Sequence, residues 1–405
     1  MNMQATFQGF VRADGRVGTR NYLGVFVVGN CGATAARRIA DWFTDKRLAD
    51  YPHVDGVLPF VHEIGCGMEM TGEPMDLLRR TIAGTIRNPN IAGALVVALG
   101  CERNNIHGFL EQEQLAVGPM LKTLVMQEIG GTANTIEAGI AAIREMLPAA
   151  NAFTRQTVSA GHLVVGLQSA APDATSALSA DPAVGVAVDL IVGQGGTAIL
   201  SSTSDMAQAD TSLSTRASSA QVSEQLGQRI QWWKTYSDKR DTPLGRRAGA
   251  AGAAQALTPA ASAALQGGSA RAGTTPLTAV YHYAQPVVAK GLVFMDAPSY
   301  EAVSATGQIA AGANLICLTT GQGTGFGALA APTVKLAGST ALFERMADDL
   351  DINCGQVLDG ELTIEQMGQR IFDRLLRYAS GEQTRSEELG VGENEFVPWP
   401  IGVLA

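Results

Sequence analysis

An α/β protein with two open, mostly parallel-sheet domains of Rossmann-like type is what this sequence predicts, on three observations. Short apolar runs alternate with helical periods from Tyr22 to Ile143 and again from His162 onward, and parallel strands covered on both faces read as such runs. At 405 residues the chain exceeds one ordinary core, so two domains are the natural expectation. The composition, 46% hydrophobic and 17% charged with 46 glycines, is that of a compact α/β enzyme and excludes global disorder.

The first domain is expected over residues 1–150. A buried strand at 23–28 leads to a helix at 33–43 with Arg37 and Arg38 on its polar side. Strands ending at Val61 and Ala98 follow, with a helix at 77–86 between them. A strand at 122–126 precedes a helix at 135–146 that Leu147-Pro148 closes, since proline cannot continue the hydrogen-bond ladder. Residues 149–156 then read as a linker.

The second domain is expected over 155–405. It opens with a strand at 162–167, a helix at 182–192 and a strand at 197–200. Residues 248–273 are rich in Ala and Gly and read as a flexible excursion, with a short helix at 259–265 capped by Thr258. Strands resume at 291–295 and 313–318. A helix at 364–380 precedes an acidic tail that ends in Phe396-Val397-Pro398-Trp399-Pro400.

Two cysteine motifs stand out, His62-Glu63-Ile64-Gly65-Cys66-Gly67 and Leu99-Gly100-Cys101-Glu102. Each follows an apolar strand, which puts it at the carboxyl edge where open α/β sheets bind ligands. Imidazole and thiolate together favour Fe, Zn or Co over Mg or Ca. The competing reading is that Cys66 and Cys101 are small buried hydrophobes, as free cysteines usually are. Arg16 and Arg20, in Arg16-Val17-Gly18-Thr19-Arg20-Asn21, have the planar fork that suits a carboxylate. Residues 319–327, from Thr319 and Thr320 through four glycines, offer backbone donors for an anion or form a structural turn. Asp349-Leu350-Asp351-Ile352-Asn353-Cys354-Gly355 combines carboxylates, an amide and a thiol, or is a helix end capped by Gly355.

A net charge of -9 without a basic stripe argues against nucleic acid. No apolar run reaches membrane-spanning length and the first residues lack the pattern of a signal peptide, so a cytoplasmic protein with no membrane partner is expected. Five cysteines scattered over the chain fit reduced thiols. The loop at 319–327 lacks the P-loop lysine, and no glycine fingerprint with a trailing acid supports NAD.

Taken together, these segments resemble the altronate/galactarate dehydratase family, sugar-acid hydro-lyases that include the large subunit of sulfolactate sulfo-lyase. The resemblance rests on residues 9–22, the two cysteine motifs, residues 291–296 and 303–307, Thr319-Thr320-Gly321, and Asp351-Ile352-Asn353-Cys354-Gly355. It implies elimination of water or another β-substituent from a small hydroxy acid or sugar acid to give a 2-oxo acid. It further implies a divalent metal, Fe2+ first with Mn2+ or Zn2+ as alternatives, and a small N-terminal-type partner subunit; a homodimer is the default assembly. On this basis His62, Cys66 and Cys101 are assigned to the metal, and His62, Glu102 and Asp173 to catalysis. Arg16, Arg20, Thr319, Thr320 and Asn353 are assigned to the substrate.

The departures from the family pattern are concentrated in loops of the second domain. Ser169-Ala170-Ala171-Pro172-Asp173 stands where the family has Cys-Gly-Gly-Ser-Asp, and Ser201-Ser202-Thr203 replaces Ser-Glu-Thr. Residues 242–247 only loosely match the family's Asn-Pro-Ser-Pro-Gly-Asn-Lys, and Gln322 replaces an arginine. Serine is a poor ligand for soft metals. The alternative function is therefore a catalytically degenerate paralogue that binds a sugar acid or an active homologue.

Overall fold

The computed structural model describes residues 4–170, 173–206, 212–237 and 268–400. Most of the expected excursion, residues 248–267 with its helix at 259–265, lies outside them, as do residues 171–172 and 242–247.

Two parallel sheets form the frame. The first has the order β4-β3-β5-β6, from strands β3 (Tyr22–Val27), β4 (Gly56–Phe60), β5 (Ile91–Ala98) and β6 (Leu121–Val125). Every residue of β3 is buried, which is why it reads as an unbroken apolar run. Helix α1 (Ala33–Asp41) buries Ala35, Ala36, Ile39 and Ala40, one face at helical spacing. Helix α2 (Glu73–Ile86) starts earlier than expected, at a first turn carrying Pro74; α3 (Ile106–Gln112) is capped by the Asn105 side chain. Helix α4 (Thr132–Asn151) runs through Pro148 instead of stopping there. Buried Leu147 and Ala150 hold its last turn against the sheet despite the lost bond.

The second sheet has seven strands in the order β10-β11-β9-β8-β12-β13-β14. These are β8 (Val164–Ser169), β9 (Thr197–Leu200), β10 (Leu277–Tyr281), β11 (Gly291–Met295), β12 (Leu315–Thr320), β13 (Thr333–Ala337) and β14 (Ile352–Asn353), every adjacent pair parallel. Helices α5 (Ala180–Gly193), α6 (Ala220–Ser237), α7 (Glu301–Ala310) and α8 (Ile364–Ala379) accompany it. The Thr363/Gln366 capping box starts α8, and Met367, Ile371, Leu375 and Tyr378 make its buried stripe. The expected helix end at Gly355 is instead a short 3-10 turn, Cys354–Val357, capped by Asn353 after β14.

A third, antiparallel sheet joins β1 (Thr6–Val11), β2 (Val17–Gly18) and β7 (Arg155–Ser159). The expected linker at 149–156 is thus the end of α4 followed by the start of a strand. Buried amides link the two parallel-sheet units. Asn88 Nδ2 donates to the carbonyls of Ile309 and Ala313, both at 2.8 Å, and Asn90 Nδ2 donates to that of Ala330 at 2.8 Å. The tail lies across both units, with Phe396 edge-on to Phe60 at 5.4 Å and Trp399 stacked on Trp233 at 5.5 Å. Among the described residues no helix is long and apolar enough to cross a membrane.

Candidate active site

Strand order fixes where each sheet opens. In the first, β4 lies on one side of β3 and β5 on the other, so the crevice lies beyond their carboxyl ends. In the second, β9 and β12 flank β8 and make the equivalent crevice.

The first crevice gathers the thiols. Cys66 Sγ lies 3.7 Å from the Sγ of Cys31, which follows β3. Two glycines make the approach close. Gly65 has φ of 105°, and a Cβ there would meet the Val28 carbonyl at 2.4 Å. A Cβ on Gly29 would stand 2.7 Å from Glu102 Cγ and 3.3 Å from Cys66 Sγ. Burial pushes the Cys66 thiol up to about 11, reinforced by Cys31, Glu102 and Cys101. Cys31 and Cys101 are exposed. Glu102 is buried, and its oxygens accept the backbone N–H groups of Leu99 and of Gly100, the latter at 2.8 Å. The carboxylate therefore holds the Cys101 loop in shape.

His62 is buried at the end of β4, with Nε2 3.0 Å from the Val27 carbonyl. That bond places the proton on Nε2 and leaves Nδ1, which has no hydrogen-bond partner, as the lone-pair nitrogen. Burial lowers the imidazole pKa to about 4, so it is neutral at neutral pH. His62 lines a cavity of about 720 Å³ together with Asn30, Arg37, Ile64, Asn394 and Phe396. Arg37 Nη2 donates to Asn394 Oδ1 at 2.9 Å.

The donor set suits a thiophilic metal, because two sulfurs already share the spacing of ligands on one ion. Among the described residues, however, no three His, Cys, Asp or Glu side chains converge as a finished metal site. His62 is not part of the thiol pair.

The second crevice is built of hydroxyls and amides whose bonds are largely internal. Ser169 lies beside Thr319 across the β8–β12 pairing. Thr319 Oγ1 donates to buried Asp181 at 2.7 Å, and Thr320 Oγ1 accepts the Gly323 N–H at 2.9 Å. Asp173 caps the helix that follows it, Oδ1 accepting from Ser176 N at 2.9 Å and Thr175 Oγ1 at 2.6 Å; Oδ2 is buried and unpartnered. Asn353 exchanges hydrogen bonds with Thr340 while capping its turn. Buried Lys335 on β13 holds the neighbouring loop, its Nζ 3.4 Å from the Thr324 carbonyl.

The two expected carboxylate-binding arginines lie elsewhere. Arg16 is exposed and paired with Asp14. Arg20 is buried, and each N–H of its guanidinium has a partner in Glu387 or in the carbonyls of Thr19, Tyr378 and Glu382. Burial opposes its charge, but Glu387 outweighs burial and holds the pKa above its ordinary value. The residues missed from sequence are Cys31, Asn30 and the cavity role of Arg37. A signal for Cys31 existed: Gly29-Asn30-Cys31-Gly32 follows a strand, as both recognised motifs do.

This arrangement sits on a chain that matches two family models end to end. Residues 160–404 match D-galactarate/Altronate dehydratase, C-terminal, and residues 9–151 match D-galactarate dehydratase/Altronate hydrolase, second domain. The chain belongs to the D-galactarate/altronate dehydratase family. It is 32% identical to galactarate dehydratase (L-threo-forming) of Escherichia coli, with 98% of this chain and 77% of that protein aligned. It is 29% identical to altronate dehydratase of Bacillus subtilis, over 96% of this chain and 76% of the other. It is 28% identical to (2R)-sulfolactate sulfo-lyase subunit beta of Chromohalobacter salexigens, over 97% and 96%. The two family models meet within the segment that holds β7, between the parallel sheets.

Proposed function

We propose that this chain is a metal-assisted hydro-lyase that removes water, or another β-substituent, from a small hydroxy acid or sugar acid to give a 2-oxo acid. The observation that carries the reading is the 720 Å³ cavity at the first crevice, lined by the buried neutral imidazole of His62 with Arg37 and Asn30, in a chain of this family. Altronate, galactarate and (2R)-sulfolactate are the substrates to try, from the names of the relatives.

The chemistry needs the proton α to a carboxylate to leave. That carbon acid is weak, so the developing enediolate requires positive charge or donors at its oxygens. Arg37 and Asn30 line the same cavity as His62 and take the substrate carboxylate in this reading, because Arg20 has no donor left. His62 is the proton acceptor in this reading, with Nε2–H anchored on Val27; its Nδ1 is buried, so the side chains covering it must shift when substrate binds. A divalent metal, Fe2+ with Mn2+ or Zn2+ as alternatives, would be held in this reading by the Cys31 and Cys66 thiols, 3.7 Å apart, and would supply Lewis acidity for the departing hydroxyl. The enol product then becomes the 2-oxo acid. The word subunit in the sulfo-lyase's name supports a small partner chain, and a homodimer is the expected assembly.

The test is to supply each substrate to anaerobically purified, metal-supplemented protein and follow 2-oxo acid, with sulfite release for sulfolactate. Turnover abolished by His62→Gln supports the reading. Saturable binding of all three acids without turnover would replace it with a non-catalytic binding role.

A further inference from the structure

The cavity at His62 has two kinds of wall. Asn30 and Arg37 lie on the turn and helix α1 that follow β3, and Val61 and Ile64 follow β4, so these lining residues are carried on the first sheet. Asn394, Phe396, Val397, Pro398 and Pro400 belong instead to the chain's tail. Residues 396–400 have no regular secondary structure, so no ladder of backbone hydrogen bonds resists their displacement.

Three fastenings hold this strap. At its far end buried Trp399 stacks on Trp233 at 5.5 Å and meets Tyr283 edge-on at 5.4 Å. In the middle, Thr306 on α7 grips the backbone on both sides of Phe396, its Oγ1 donating to the Glu395 carbonyl and accepting the Val397 N–H, both at 3.1 Å. Phe396 is thereby set against Phe60 and beside His62, with ring centres 6.3 Å apart in the second pair. At the near end Arg37 Nη2 donates to Asn394 Oδ1 at 2.9 Å, and Glu393 Oε2 lies 3.9 Å from Arg37 Nη1.

The near fastening differs in kind from the other two. An amide oxygen and a carboxylate of the chain itself occupy the guanidinium fork, where a carboxylic acid would also bind. An acid that takes Arg37 therefore removes this fastening and leaves the strap on Thr306 and Trp399 alone. His62 and Phe396 are both buried, and His62 Nδ1 is enclosed without a partner. A ligand reaches the imidazole only when a wall moves, and the strap is the wall not built into a sheet.

We infer that residues 393–396 are an internal stand-in for the substrate: Asn394 and Glu393 hold the carboxylate position on Arg37 in the empty protein, and a bound acid displaces them and lifts Phe396 from His62. The inference rests on the reading of Arg37 as the carboxylate site. It makes Asn394 a competitor of the ligand, and Thr306 the residue that sets how firmly the strap closes.

The experiment titrates altronate, galactarate and (2R)-sulfolactate against the full chain by thermal shift, which needs no turnover. Asn394→Ala combined with Glu393→Gln should tighten binding by about threefold or more, because a charge-assisted hydrogen bond no longer has to be broken. Arg37→Gln should weaken it by about tenfold or more. A merely structural role for Asn394 predicts the opposite sign, so unchanged or weaker binding by the double variant, with loss in Arg37→Gln, overturns the inference alone. Wild-type affinity in Arg37→Gln overturns it together with the carboxylate assignment on which it rests. A second readout requires no ligand. Hydrogen exchange at the Val397 amide and carbethoxylation of His62 by diethyl pyrocarbonate, both followed by mass spectrometry, should be severalfold faster in Thr306→Val and in Arg37→Gln than in wild type. Equal rates in all three proteins overturn the inference whether or not any of the acids binds.

Discussion

The two crevices have the same topological origin and opposite chemical contents. The first, beyond β3, β4 and β5, presents two sulfurs in contact with each other at 3.7 Å and an imidazole whose Nδ1 has no hydrogen-bond partner. The second, beyond β8 and β12, presents groups mostly spent on caps and turns: Asp173 on Ser176, Thr319 on Asp181, Thr320 on Gly323. Both crevices keep unsatisfied polar atoms, His62 Nδ1 in the first and Ser169 Oγ and Asp173 Oδ2 in the second, so it is the kind of donor, sulfur and imidazole against hydroxyl and carboxylate, that separates them. Among the described residues, the departures read from the sequence, Ser169, Ser202 and Gln322, lie at or just after the ends of strands β8, β9 and β12 of the second sheet, whereas the strand ends of the first keep their motifs.

The sharpest way to break this comparison is paired substitution. His62→Gln should lower kcat/KM by about 10²–10⁴, the range for a lost acid–base group. Asp173→Asn should lower it by less than about tenfold. Steady-state kinetics on the same substrate decides, and the reverse ranking would move the reaction to the second crevice.

Next in size is the stability cost of Arg20→Ala, about 3 kcal/mol by denaturant titration, because Glu387, only 14% exposed, would lose its ion-pair partner and three carbonyls would lose their donor. Arg16→Ala should stay within about 0.5 kcal/mol. A stable Arg20→Ala protein with a raised KM would return that residue to the substrate.

Acidification tests the imidazole. Unfolded His62 takes up its proton near pH 6.5, whereas the folded group waits until about 4. Between those values the unfolded state binds more protons, so stability falls as pH falls, by up to about 3 kcal/mol. Asp351 acts in the opposite direction, since burial raises its carboxyl to about 6 and protonation then favours the folded state. The measurement is therefore the difference between wild type and His62→Gln in chemical denaturation from pH 7 to 4.5. An unchanged difference would mean that His62 is solvated.

The smallest effect sharpens the account of the second crevice. Asp173→Ala removes an N-cap and should cost about 1 kcal/mol in thermal or denaturant unfolding. A negligible cost would mean that this carboxylate is held for something other than the cap.

Strands buried on both faces were legible because they need apolar residues throughout, as at 23–28 and 291–295. Strand β13 was not, because Lys335 interrupts its apolar run and is buried only once the neighbouring loop covers it. Strands β1 and β7 carry polar alternation and pair across some 150 residues, Phe7 with Val158 for instance, which no local pattern records. In the site, glycine next to cysteine after a strand marked Cys66 and Cys101. Arg20 looked like a carboxylate binder because its partner, Glu387, lies far along the chain.

By itself the sequence determined the α/β class, the family and the strand ends that carry His62, Cys66 and Cys101, since these follow from local hydrophobic pattern and contiguous motifs. Only the tertiary structure decided which polar groups remain available. It brought Cys31 to Cys66, committed Glu102 to the backbone and closed Arg20 on Glu387, because hydrogen-bond satisfaction depends on partners that the chain brings together only when folded.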